Sequence, residues 1–96
     1  MILEKEIEKK FCQRVESRGG MTVKFSDPSR RGAPDRLVIE QDIYFVEFKR
    51  PKGVIAKHQI EYAKRLEDLN VMVYLIETME QTVSDLKDLS RVSRMV

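Results

Sequence analysis

The chain has 96 residues, 42% of them hydrophobic and 35% charged, and 18 Lys plus Arg against 16 Asp plus Glu give a formal net charge of +2. That length holds one domain, residues 1–96, burying roughly 60–70% of the surface its unfolded form exposes. The composition excludes a strongly basic nucleic-acid binder while leaving room for a local basic patch. No stretch approaches the ~20 apolar residues of a membrane span, no basic-then-apolar signal peptide opens the chain, and no membrane partner is expected. Cys12 is the only cysteine, so no internal disulfide and no cysteine-held zinc is expected, and a reducing cytoplasmic setting follows.

Leu3, Ile7, Phe11 and Val15 recur every four residues and predict an amphipathic helix over 2–18. Gly19-Gly20 ends it with a left-handed cap. Residues 21–25 alternate Met, Val and Phe inward with Thr and Lys outward, a short strand. A polar loop with two adjacent arginines, Arg30 and Arg31, fills 26–34. Strands over 35–40 and 43–50 flank a tight turn at Gln41-Asp42, and Pro51-Lys52-Gly53 closes the second of them. A second helix over 55–69 places Ile55, Tyr62, Leu66 and Leu69 on one face. The apolar run 71–76 suits a strand buried on both sides. A weaker third helix is expected over 79–90, with the last six residues frayed. The order αβββαβα predicts an α/β domain: a mixed central sheet, antiparallel in the meander and parallel at the helical crossover, flanked by helices.

Glu47 and Lys49 are two apart in an apolar strand and therefore project from one face. Charged groups in such a strand are either an exposed pair at its end or a paired, metal-bound site. The tight turn forces the two strands to pair antiparallel, which brings Asp35, behind the rigid Pro34, alongside Glu47 and Lys49. By itself Asp35 fits a turn or cap. Two carboxylates converging at a sheet end repel unless a cation lies between them, and oxygen ligands favour Mg²⁺ or Mn²⁺ over zinc.

At about 100° per residue Glu4 falls within the first helix's apolar arc, and Glu8 lies at its edge. A carboxylate there either needs a partner, which points it to the site, or reaches water from a frayed end. Arg14 also falls inside the arc. Gln59 shares the face of the second helix with Tyr62 and Leu66, as a structural amide or a site contact, and His58 sits at its margin without an assigned role. Lys24, Arg30, Arg31, Arg36, Arg50, Lys52 and Lys57 surround the carboxylates in sequence, where they suit either a phosphodiester substrate or a solvated surface.

Gly32-Ala33-Pro34-Asp35-Arg36, then Phe45-Val46-Glu47-Phe48-Lys49-Arg50-Pro51, then Gln59, together with Glu4-Lys5-Glu6-Ile7-Glu8, resemble the VRR-NUC domain of the PD-(D/E)XK nucleases. The resemblance covers residues 4–77, within an expected core of 2–77, and Ala33 replaces a valine common in the family. It implies a restriction-endonuclease-like αβββαβ fold, similar to that of Holliday-junction resolvases, in a stand-alone phage-type protein. It further implies that Asp35, Glu47 and the carbonyl of Phe48 hold Mg²⁺, with Mn²⁺ able to substitute. Lys49 would orient or deprotonate the attacking water or stabilise developing charge. Glu4 would complete the site ahead of Glu8, and Gln59 matches a family glutamine. The expected activity is metal-dependent, structure-selective DNA endonuclease cleavage of branched or flap DNA, extending to Holliday-junction resolution by a homodimer. A non-catalytic DNA-binding module, or a partner subunit retaining the fold, is the alternative.

Overall fold

The computed structural model describes residues 3–81 and 87–91. The elements are α1 (Glu4–Ser17), β1 (Met21–Lys24), β2 (Arg36–Ile39), β3 (Ile43–Phe48), α2 (Lys57–Asp68), β4 (Val73–Ile76) and β5 (Lys87–Asp88), followed by a 3-10 turn over Leu89–Arg91. The strands lie in the order β1-β2-β3-β4-β5. β1, β2 and β3 form an antiparallel meander, β3 and β4 are parallel across α2, and β5 returns antiparallel to β4. This is the α/β class expected, with a mixed sheet between two helices. No helix among the described residues is long and apolar enough to cross a membrane.

Each helix covers one face of the sheet. Ile7, Phe11 and Val15 of α1 pack on Val38, Tyr44, Val46, Phe48 and Ile76. Ile60 and Ala63 of α2 pack on Phe45, Val73 and Leu75, with Ile55 and Leu89 closing that core. Cross-strand partners share a face, so the alternation along β3 sends Val46 and Phe48 toward α1, and Phe45 and Glu47 toward α2.

Four expectations change. On β1, Met21 and Val23 point outward, 58% and 40% exposed. They lie on the α2 face but at the sheet's edge, beyond the reach of a 12-residue helix that sits over β3 and β4. Only Phe25, just past the strand, turns inward, its ring edge-on to Phe45 at 4.8 Å. The fully buried stripe of α2 is Ile60 and Ala63; of the expected face, Leu66 packs half-buried against the same core, Tyr62 is half-buried, and Leu69 is 72% exposed. Ile55 is fully buried but precedes the helix, so its position in the 3.6-residue period carries no information about the helix. The helix expected over 79–90 does not form at either end. Residues 79–81 are turn and coil, whereas Lys87 and Asp88 pair with Leu75 and Tyr74. β4 would otherwise present an open edge, and backbone pairing there outweighs weak helical periodicity. The middle of that expected helix, 82–86, and the frayed end expected over 91–96, apart from Arg91, lie outside the described residues.

Two glycines shape the connections. Gly19 has φ +87 after α1, the left-handed cap the sequence called for. Gly32, at φ +90, lets the β1–β2 loop lie directly on α2, where an added Cβ would stand 2.2 Å from the His58 carbonyl oxygen. Tyr62 secures the same loop by donating its hydroxyl to Asp27 at 2.8 Å. Gly32→Ala therefore combines backbone strain with a clash against helix backbone and should cost at least about 2 kcal/mol in denaturant unfolding. An unchanged midpoint would show that this loop docks otherwise.

Candidate active site

The site forms where β2 begins and β3 ends. The register Arg36↔Val46 puts Asp35 beside Glu47, and the Asp35 N–H donates to the Val46 carbonyl at 3.0 Å, extending the ladder one residue beyond β2. Asp35 in turn accepts the Phe48 N–H on Oδ2 at 2.8 Å. Its carboxylate thus secures the end of β3 by a bond that a longer side chain could not make without displacing the strand. Pro34, just before it, is fully buried.

Glu47 is only 3% exposed. Oε2 accepts from Gln59 Nε2 at 2.8 Å and lies 3.8 Å from Lys49 Nζ. Oε1 is buried without a hydrogen-bond partner among the described residues. Burial, reinforced by the charges of Asp35 and Glu4, pushes the Glu47 carboxyl up to about 8, against the opposing pull of Lys49 and Gln59. Burial raises Asp35 too, with the Phe48 N–H opposing it and the charge of Glu8 adding to it. Both acids are thus held in a setting that disfavours their charges unless a cation is at hand.

Gln59 joins helix to strand. Its Oε1 accepts the Ala56 N–H at 2.9 Å at the start of α2, while its Nε2 holds Glu47. Both ends of one amide are committed, so Gln59 fixes the rotamer of Glu47 rather than facing open solvent.

The acids of α1 differ from the simple expectation. Glu4 is exposed, so no burial cost compels it toward the site, although its charge reaches Glu47 and Asp35. Glu8 is the half-buried one, and its Oε2 receives Arg36 Nε at 2.6 Å and approaches Lys24 Nζ at 3.5 Å. Among the described residues no three His, Cys, Asp or Glu side chains form a metal-holding group. The metal-binding potential of the site therefore rests on Asp35, Glu47 and backbone carbonyl oxygen. Arg14 serves structure, donating to the Gln81 carbonyl at 3.0 Å.

The basic residues divide between the two sides. Arg36 and Lys24 are tied to Glu8 on the α1 side, and Arg36 also donates to Thr22 at 3.3 Å. Arg30, paired with Asp27 at 3.3 Å, and exposed Arg31 ride on the loop fastened to α2. Lys57, 3.9 Å from Glu61, opens α2, and Arg50 and Lys52 are exposed just beyond β3. Glu77 was not singled out from the sequence, yet it is 7% exposed and receives the Lys52 N–H at 3.3 Å and Lys87 Nζ at 3.6 Å. Its one legible signal is an acid placed directly after the apolar run of β4.

No protein-family model matches the sequence. A curated relative, named "Putative nuclease p44", from Acyrthosiphon pisum secondary endosymbiont phage 1, is 37% identical over 82 residues, covering 83% of this chain and 88% of that one. A solved structure described as a VRR_NUC domain superposes with a TM-score of 0.65 at 29% identity, covering 81% of this chain and 87% of that chain. Sequence likeness and fold agree over most of both chains, and the chain belongs to the VRR-NUC family.

Proposed function

We propose that this chain is a divalent-metal-dependent, structure-selective DNA endonuclease in which Asp35, Glu47 and Lys49 form the catalytic centre. The observation that carries the reading is the unpartnered Oε1 of buried Glu47, beside half-buried Asp35 and 3.8 Å from an ammonium group across its other oxygen. A buried carboxylate oxygen without a partner is costly and finds its natural partner in a cation. The name of the phage relative points to the same chemistry.

The donor set fits Mg²⁺, with Mn²⁺ able to substitute. Asp35, Glu47 and the Phe48 carbonyl offer hard oxygens only, and Mg²⁺ is commonly held by one or two carboxylates while retaining several waters. When bound, such a cation supplies Lewis-acid neutralisation of charge on the scissile phosphate. The remaining work falls to the chain. Gln59 fixes Glu47 in one rotamer, and Asp35 locks the end of β3 through the Phe48 N–H. Lys49 presents a compact charge that orients the attacking water and compensates the phosphorane as the new P–O bond forms and the old one breaks. Exposed Glu4 at the start of α1 adds its charge to the field at the same acids, the role proposed for it ahead of Glu8, which is engaged with Arg36. Lys24, Arg30, Arg31, Arg36, Arg50, Lys52 and Lys57 provide the phosphate contacts on either side.

Resolution of a four-way junction needs symmetric cuts in two strands, which a two-fold dimer supplies with one site per strand. A homodimer acting on branched DNA inside the host cell is the form proposed. A dimer mass is expected by light scattering with or without junction DNA, and a monomer in both conditions would remove the resolvase form while leaving a flap or nicking endonuclease.

Cleavage of labelled four-way junction, flap, nicked and linear duplex DNA with Mg²⁺ or Mn²⁺ tests the activity. Asp35→Ala and Lys49→Ala should each lower the rate by at least about a hundredfold. Binding without cleavage of any substrate would make the protein a DNA-binding module or partner subunit.

The raised acids give a pH signature. The folded state holds a proton on Glu47 that the unfolded chain releases near the ordinary value of 4.5, so between 4.5 and about 8 the native state binds more protons. Stability of the metal-free protein therefore falls with rising pH across that window, by a few kcal/mol in all. Mg²⁺ or Mn²⁺ should restore it at pH 8. Glu47→Gln should flatten the pH profile and raise metal-free stability at pH 8 by about 1–2 kcal/mol while abolishing cleavage. A wild-type melting temperature that climbs from pH 5 to pH 8 without metal would contradict the buried-acid site.

A further inference from the structure

Half-buried Tyr62 and Leu66 and exposed Leu69 lie along one side of α2, and with Arg30 and Arg65 they line an apolar cavity of about 190 Å³. Leu66 joins it to the core beneath α2, while Leu69 is 72% exposed. The walls are held in place. The Tyr62 hydroxyl donates to Asp27 Oδ2 at 2.8 Å, and Arg30 Nη1 sits 3.3 Å from the same oxygen. The loop bearing Arg30 is seated on α2 through Gly32. Among the described residues Asp27 is the carboxylate bonded to this wall, and Ser29, Arg30 and Tyr62 occupy its oxygens.

We propose that this cavity receives an unpaired nucleobase of the DNA, resting on Leu66, Leu69 and the Tyr62 ring, with Arg30 and Arg65 on its flanking phosphates. The inference rests on the nuclease reading and extends it to how branched DNA is told from duplex. The charge at the mouth decides the occupant. Two guanidinium groups frame an apolar floor, with exposed Arg31 one residue from Arg30. That pairing of apolar platform and cationic rim suits a single strand, whose base presents a flat apolar face and whose phosphates carry the charge. Guanidinium planes also stack on bases, which an aliphatic partner side chain would not use. A base within a duplex is already stacked and paired and cannot enter, so the cavity favours DNA with splayed strands.

Its place relative to the catalytic centre suits that role. Gln59, bonded to Glu47, and Leu66 lie on one helix seven residues apart, about 10 Å along its axis. A splayed strand extends at least the roughly 3.4 Å per nucleotide of the duplex, so a strand crossing the site would deliver a base within about three nucleotides of the scissile phosphate.

The test uses the full chain with forked DNA, Ca²⁺ replacing Mg²⁺ to prevent cutting. 2-Aminopurine or an abasic nucleotide is placed at each position within five of the branch. We expect the 2-aminopurine emission to change on binding at one or two adjacent positions, and an abasic nucleotide there to weaken binding about tenfold. Leu69→Ser, at an exposed position, should abolish the emission change and weaken forked-DNA binding to a similar degree while changing duplex affinity less than twofold. Identical affinity for all abasic substrates, or an unaltered signal in Leu69→Ser, would overturn the proposal. So would a Leu69→Ser variant that binds DNA normally but no longer self-associates, because the cavity would then belong to a second copy. Failure here is separable from failure of the nuclease reading: cleavage with Mg²⁺ and no position-dependent emission refutes only the base site, whereas an intact emission response without any cleavage refutes only the catalysis.

Discussion

Glu47 stands in the third strand with hydrophobic neighbours on both sides, and at 3% exposure it is the more deeply buried of the two buried acids among the described residues, a costly side chain to keep. Much of the local architecture contributes to keeping it there. Asp35 closes over the end of the strand, Lys49 follows one pleat later, and Gln59 reaches down from α2 to take one oxygen. The other oxygen has no hydrogen-bond partner among the described residues. A fold optimised for stability alone would place an apolar residue there. Retaining an acid at that position matches a site organised around a ligand and accepting a stability cost for it.

The β1–β2 loop and α2 act as one unit on the far side of that acid. Gly32 allows the loop to touch helix backbone, Asp27 and Tyr62 bond across the contact, and Gln59 extends from the same helix to Glu47. Shifts of α2 would thus move an arginine-bearing loop and the rotamer of the central acid together. On the opposite face, Glu8, Arg36, Lys24 and Thr22 form a separate polar cluster between α1 and the sheet. In that cluster Arg36 is partly consumed in holding α1, which its sequence position beside Asp35 did not reveal.

The β2–β3 hairpin was legible because it is local. A two-residue connection permits only antiparallel pairing, and strand alternation then leaves no freedom about which side chains meet Asp35. α1 was legible through its four-residue apolar spacing and its terminal glycine. The 79–90 segment misled because periodicity reports what a helix would bury, not whether an open strand edge nearby offers the backbone better hydrogen bonds. Likewise Ile55 lies two residues before α2 begins, so a face drawn through it is rotated away from Ile60 and Ala63 and ends on exposed Leu69.

By itself, the sequence determined the order of elements from α1 through β4, the meeting of Asp35 with Glu47 and Lys49, and the family to which these residues conform. Each of those depends on short-range connectivity or on residue identity. The tertiary structure decided how deeply Glu47 is buried, that Gln59 holds it, that Glu8 rather than Glu4 is the half-buried acid of α1, and that Leu69 is exposed. Those outcomes depend on how two helices settle on opposite faces of a sheet. That packing is governed by the summed shape and contact of residues far apart in the chain, which no local pattern encodes.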